Sequence, residues 1–169
     1  MASVDAVALV VRFLHIAFAI AWIGGVMYGV GVLRRVMPRV DMPARKATMR
    51  QLIPVVTQYL PGSAVITILT GAVLYLYLGA FNPSTLIGSG WGLALLIALI
   101  LSVSTFAFGI VVGVGSAKRI LVHLEEPECS HGPEVGALTA RFNRAQVVVL
   151  ILGVSVLALM ILATEHVFG

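Results

Sequence analysis

Apolar positions along this chain neither alternate nor follow a single narrow helical stripe. They run on in four long blocks, at about residues 7–32, 53–78, 91–115 and 146–167, with the polar residues gathered between them. Roughly 20 mostly apolar residues make a helix that crosses the hydrocarbon core of a bilayer. No water reaches that core, so each backbone must satisfy its own hydrogen bonds, which makes the four blocks helices and not strands. The pattern predicts an all-α integral membrane four-helix bundle, one transmembrane domain over residues 1–169.

The connections set the expected orientation. Residues 33–52 carry Arg34, Arg35, Arg39, Arg45, Lys46 and Arg50 beside one acid, Asp41, with Pro38 and Pro43 to break the helical run. Residues 80–90 hold Asn82, Pro83, Gly88 and Gly90 and no charge. Residues 116–145, the longest connection, mix Lys118, Arg119, Arg141 and Arg144 with Glu125, Glu126, Glu128 and Glu134. Basic loops stay in the cytoplasm, so both termini are expected outside, in the inner (cytoplasmic) membrane of the cell.

Composition agrees. Hydrophobic residues make up 60% of the 169 positions and charged ones 11%, whereas a soluble domain carries about a quarter charged residues. The formal charge of +4 does not mark a nucleic-acid binder. All of the 11 Lys and Arg except Arg12 lie in the two basic connections, where Phe142 is the one aromatic and no series of base-stacking platforms interleaves with the charges. The expected surroundings are the lipid bilayer and either further copies of the chain or other membrane redox subunits. Cys129 is the single cysteine, so no intrachain disulfide forms.

Within the second block, Pro54 reads as a first-turn proline, and Pro61 with Gly62 as a kink or a source of freed carbonyls. Gly25-x-x-x-Gly29 and Gly109-x-x-x-Gly113 put two small residues on one helix face. That spacing permits close helix packing, a homodimer seam or room for a flat cofactor.

Ionisable residues inside membrane spans are costly and so are functional candidates. His15 is the clearest. It shares a helical face with Phe18, Trp22, Gly25 and Gly29, a face that suits a porphyrin edge; the plainer reading is a histidine hydrogen-bonded to a neighbouring helix. Arg12, one turn earlier, can snorkel to the interface, pair with Asp5 or Glu165, or grip a propionate with its guanidinium fork. Met160 and His166, near the end of the fourth block on the same side, are candidate second ligands to a metal held by His15. His123, Cys129 and His131 could bind a soft metal but lack a second thiol. No Ser/His/Asp set, phosphate loop or intramembrane carboxylate pair is present, which leaves hydrolase and nucleotide chemistry without support.

The stretch from Leu14 to Tyr28, followed by Arg34-Arg35, resembles the first helix of the HemJ and CopD groups of small membrane proteins. His15, Trp22, Gly25 and Tyr28 match the HemJ offsets of seven, ten and thirteen residues; the CopD group shares the His, Trp and Gly-Gly portion. Gly90-Trp91 and Arg141-Phe142-Asn143 resemble the starts of the third and last helices. The resemblance implies heme b bound through His15, or copper handling across the inner membrane. HemJ-like proteins also carry a Lys a turn after the helix-three Trp. Residues 92–96 contain none, so the resemblance supports the heme-ligand position and not protoporphyrinogen oxidation. Met1, Met27, Met37, Met42, Met49 and Met160 are too scattered for a copper-transfer path. The expected function is therefore a b-type heme membrane protein in electron transfer or as an accessory redox subunit. The alternatives are copper handling and a cofactor-free structural subunit.

Overall fold

The computed structural model describes residues 5–125 and 132–164. Four helices are long and apolar enough to cross a membrane: α1, Ala6–Arg39; α2, Met42–Leu78; α3, Gly90–Glu125; and α4, Gly132–Ala163. Only 11% to 22% of the residues in the most apolar stretch of each are buried inside the bundle. Phe13, Ile20, Leu69, Ile100 and Ile161, among others, point their apolar side chains outward. Such a surface needs lipid around it, and the chain is a multi-pass membrane protein.

Successive helices are antiparallel neighbours, as their contacts at matching levels require. Tyr77 of α2 donates its hydroxyl hydrogen bond to Asp5, which also caps the start of α1. Tyr75 and Trp91 stack across the next connection with ring centroids 6.3 Å apart. At the opposite end Arg50 of α2 donates to the last carbonyl of α3, Glu125 O, at 3.4 Å, and His123 lies 3.7 Å from Glu134. α1 also touches α4 and closes the ring.

The helices outrun the apolar blocks that announced them. α2 starts at Met42 and not near 53, α3 runs to Glu125 and not 115, and α4 starts at Gly132 and not near 146. At 32 to 37 residues each, they reach about 50 Å, against a hydrocarbon core of about 30 Å. Hydropathy marks the lipid thickness; helix signals mark the helix. Pro38 does close α1, in a 3-10 turn at Met37–Arg39. Pro43 starts a helix and does not break one: it sits in the first turn of α2 behind Asp41, whose carboxylate accepts from Ala44 N at 3.1 Å. Pro54 consequently lies well inside α2 and not in its first turn. The protruding ends of α2, α3 and α4 form a small core of their own from Ile53, Ala117, Ile120 and Leu138.

Two of the four helices loosen at glycines. α1 widens into a π-turn at Gly29–Leu33 and α3 at Gly109–Val114. Inside the bundle the hydroxyls are satisfied by their own helices: Ser63 donates to Tyr59 O, Thr67 to Ser63 O and Thr105 to Leu101 O, at 2.7 to 2.9 Å.

Candidate functional site

Among the described residues, His15 is the only His, Asp, Glu, Lys or Arg side chain buried in the bundle. It begins the inward stripe of α1, followed by Trp22 and Val26 at the spacing of a helix face that packs on α2. Its Nδ1 lies 2.9 Å from the backbone carbonyl oxygen of Thr67 and 3.3 Å from Thr70 Oγ1. A carbonyl only accepts, so Nδ1 carries the hydrogen and donates it to Thr67 O. In the neutral ring Nε2 then holds the lone pair. Thr70 gives its own hydrogen to Ile66 O at 2.6 Å, which leaves its oxygen free to receive a share of the Nδ1 hydrogen.

Gly71 makes room for this ring. A Cβ at position 71 would stand 2.8 Å from His15 Cε1 and 3.2 Å from Nδ1, closer than packed atoms tolerate. Thr67, Thr70 and Gly71 were absent from the sequence-level candidates. Their only trace there is a small polar cluster, Thr67-x-x-Thr70-Gly71, inside an apolar block. The acceptor itself is a backbone oxygen, which leaves no mark in a sequence.

The other ring nitrogen has no hydrogen-bond partner among the described residues. No buried side-chain nitrogen or oxygen there lacks a partner, so Nε2 is not sealed inside the protein. An imidazole whose Nδ1–H is anchored on a carbonyl and whose Nε2 is left basic has the orientation of a metal-ligating histidine. Gly153 of α4 faces Ile23 of α1, where an added Cβ would meet Cγ1 at 3.5 Å. The antiparallel run of the two helices brings half-buried Met160, seven residues on, to the level of His15, eight residues before Ile23. His166 and Glu165 lie outside the described residues. Arg12 is exposed, and Asp5, one of the alternative partners named for it, accepts from Tyr77 and from the amides of Val7 and Ala8.

The rest of the expected porphyrin face has other occupants. The space beside Gly25 holds the side chain of Leu60, which a Cβ at 25 would overlap. Trp22 packs with Val26, Ala64 and Val149. Gly29 borders open space within its π-turn. Deeper than His15, a cavity of about 50 Å³ lies among all four helices, between Trp22, Pro61, Thr105, Gly113 and Gln146. It admits a water-sized guest, whereas organic ligands need pockets of about 300 Å³ or more. The anchored imidazole can offer one ligand to a metal, and this cavity does not hold a macrocycle. The pattern Gly109-x-x-x-Gly113 divides in the same way: Gly109 lets Val149 approach, with an added Cβ 3.6 Å from Cγ2, and Gly113 borders open space.

The loop candidates are not brought together. His123 faces Glu134, and Cys129 and His131 lie outside the described residues. Among the described residues no three His, Cys, Asp or Glu side chains converge as a metal site. Compared with known protein families, with curated proteins and with solved structures, the chain matches none.

Proposed function

We propose that this chain is a b-type heme-binding membrane protein, acting in electron transfer or as an accessory subunit of a membrane redox complex. The observation that carries the reading is the buried His15 ring, held by Thr67 O through Nδ1 and left basic at Nε2. The likeness of the stretch from Leu14 to Tyr28 to the HemJ and CopD groups adds to it. His15 would hold the iron through Nε2. The cavity among the four helices is too small for a macrocycle, so the group would bind at the lipid-facing side of His15, and Met160, His166 or a neighbouring subunit would supply a second ligand. Bound iron supplies one-electron chemistry; the chain supplies the ligand, its orientation and surroundings without water. Arg12 would hold a propionate, a role that its exposure one turn from His15 supports. The two basic connections, at one end of the bundle, favour a cytoplasmic position for that end and both termini outside the cytoplasmic membrane.

A thioether at the level of the imidazole also suits copper, which gives copper handling as the second reading. Purification from heme-replete cells separates the two. The first reading expects a Soret band that disappears in His15→Ala; the second expects a colourless protein with stoichiometric, His15-dependent copper. A colourless, metal-free protein removes both and leaves a structural subunit.

A further inference from the structure

A groove of about 440 Å³ runs between α3 and α4 at the basic end of the bundle, lined by Phe108, Val112 and Val148 on its apolar wall and by Arg141 and Arg144 at its mouth. The two arginines are three residues apart and so project from the same side of α4. No acidic residue lines the groove, and among the described residues neither arginine takes part in an ion pair. Their level relative to the bilayer follows from the sequence. The unbroken apolar run of α4 begins just after Gln146, so Arg141 and Arg144 stand at the headgroup boundary. Gly109 meets Val149 across the two helices, which sets neighbouring Phe108 and Val148 at acyl-chain depth.

We propose that this groove is a binding site for one anionic phospholipid. Arg141 and Arg144 hold the phosphate with their guanidinium forks, and one acyl chain lies along Phe108, Val112 and Val148. Charge complementarity selects the occupant: two guanidiniums with no ion pair among the described residues attract a net anion, and a zwitterionic lipid brings a cation of its own to the same place. The apolar wall directly below the charges selects a lipid over a free anion. The site lies on the α3–α4 face and does not depend on what His15 ligates.

The test uses the full chain in detergent, stripped of lipid and titrated with phosphatidylglycerol, with phosphatidylcholine of the same acyl chains, and with inorganic phosphate, read by native mass spectrometry. One phosphatidylglycerol is expected per chain. The double variant Arg141→Gln/Arg144→Gln lowers its affinity by about thirtyfold, while Arg34→Gln/Arg35→Gln, outside the groove, leaves it within about threefold of wild type. Both pairs are exposed, so both variants keep the wild-type melting temperature. Equal binding of phosphatidylcholine, unchanged affinity in the Arg141/Arg144 variant, or inorganic phosphate bound as tightly as the lipid overturns the proposal.

Discussion

Gly71 lies so close to the ring of His15 that a single added carbon would stand 2.8 Å from Cε1. The absence of a side chain on α2 is what lets the imidazole of α1 reach the Thr67 carbonyl. Gly71→Ala therefore forces the ring or the helix to move. The expected cost is about 1–3 kcal/mol, as for overpacked cores, together with weakened ligand binding at His15. Thermal unfolding in detergent checks the first effect; an unchanged melting temperature shows that the ring has room to spare.

The end of the bundle where α1 begins is tied by Asp5. The hydrogen bond from Tyr77, and after it those from the amides of Ala8 and Val7, hold its carboxyl below the ordinary carboxylate value. A carboxylate depressed in the folded state adds stability that is complete above its unfolded value. That stability is lost as pH falls through the lower folded value. The melting temperature should hence fall below about pH 4 and fall less steeply in Tyr77→Phe. An equal acid slope in both proteins removes Asp5 from the account.

Leu138 and Ile120 hold together helix ends that extend past the lipid. Leu138→Ala removes packing that no lipid tail replaces, and about 2–4 kcal/mol of stability with it. The loss is local. Hydrogen exchange should quicken over residues 115–125 and 132–142 and stay unchanged around His15. Acceleration along the whole of α4 would mean that the two cores unfold as one.

The proposed orientation places the α2–α3 connection outside. In a Cys129→Ser background, Ser84→Cys, on the exposed turn that follows Asn82, should react with a membrane-impermeant thiol reagent on intact cells. Labelling only after permeabilisation would invert the topology.

The number of spans and the singular place of His15 inside a span were legible in the sequence because each is a contrast: apolar blocks against basic connections, one imidazole against an apolar background. Helix ends were not, because hydropathy stops where lipid stops. The signals that did mark one end, Asp41 as a cap with Pro43 behind it, read as a loop when proline is taken only as a breaker. Gly25 and Trp22 share the face of His15 as expected, but α2 fills the space beside them with Leu60. A one-helix stripe carries no information about the residues that the neighbouring helix contributes. The Thr67 oxygen was beyond reach for a simpler reason: every residue has a carbonyl.

The central proposal is that Nε2 of His15 holds the iron of a heme. His15→Gln tests it most directly, since an amide can still donate to Thr67 O and keep α1 docked on α2. The account predicts wild-type protein with a Soret band, and a His15→Gln variant that is equally helical, melts within about 1 kcal/mol of wild type in stability, and is colourless. A variant that keeps the full absorption band, or a wild-type protein without one after expression in heme-replete cells, contradicts it.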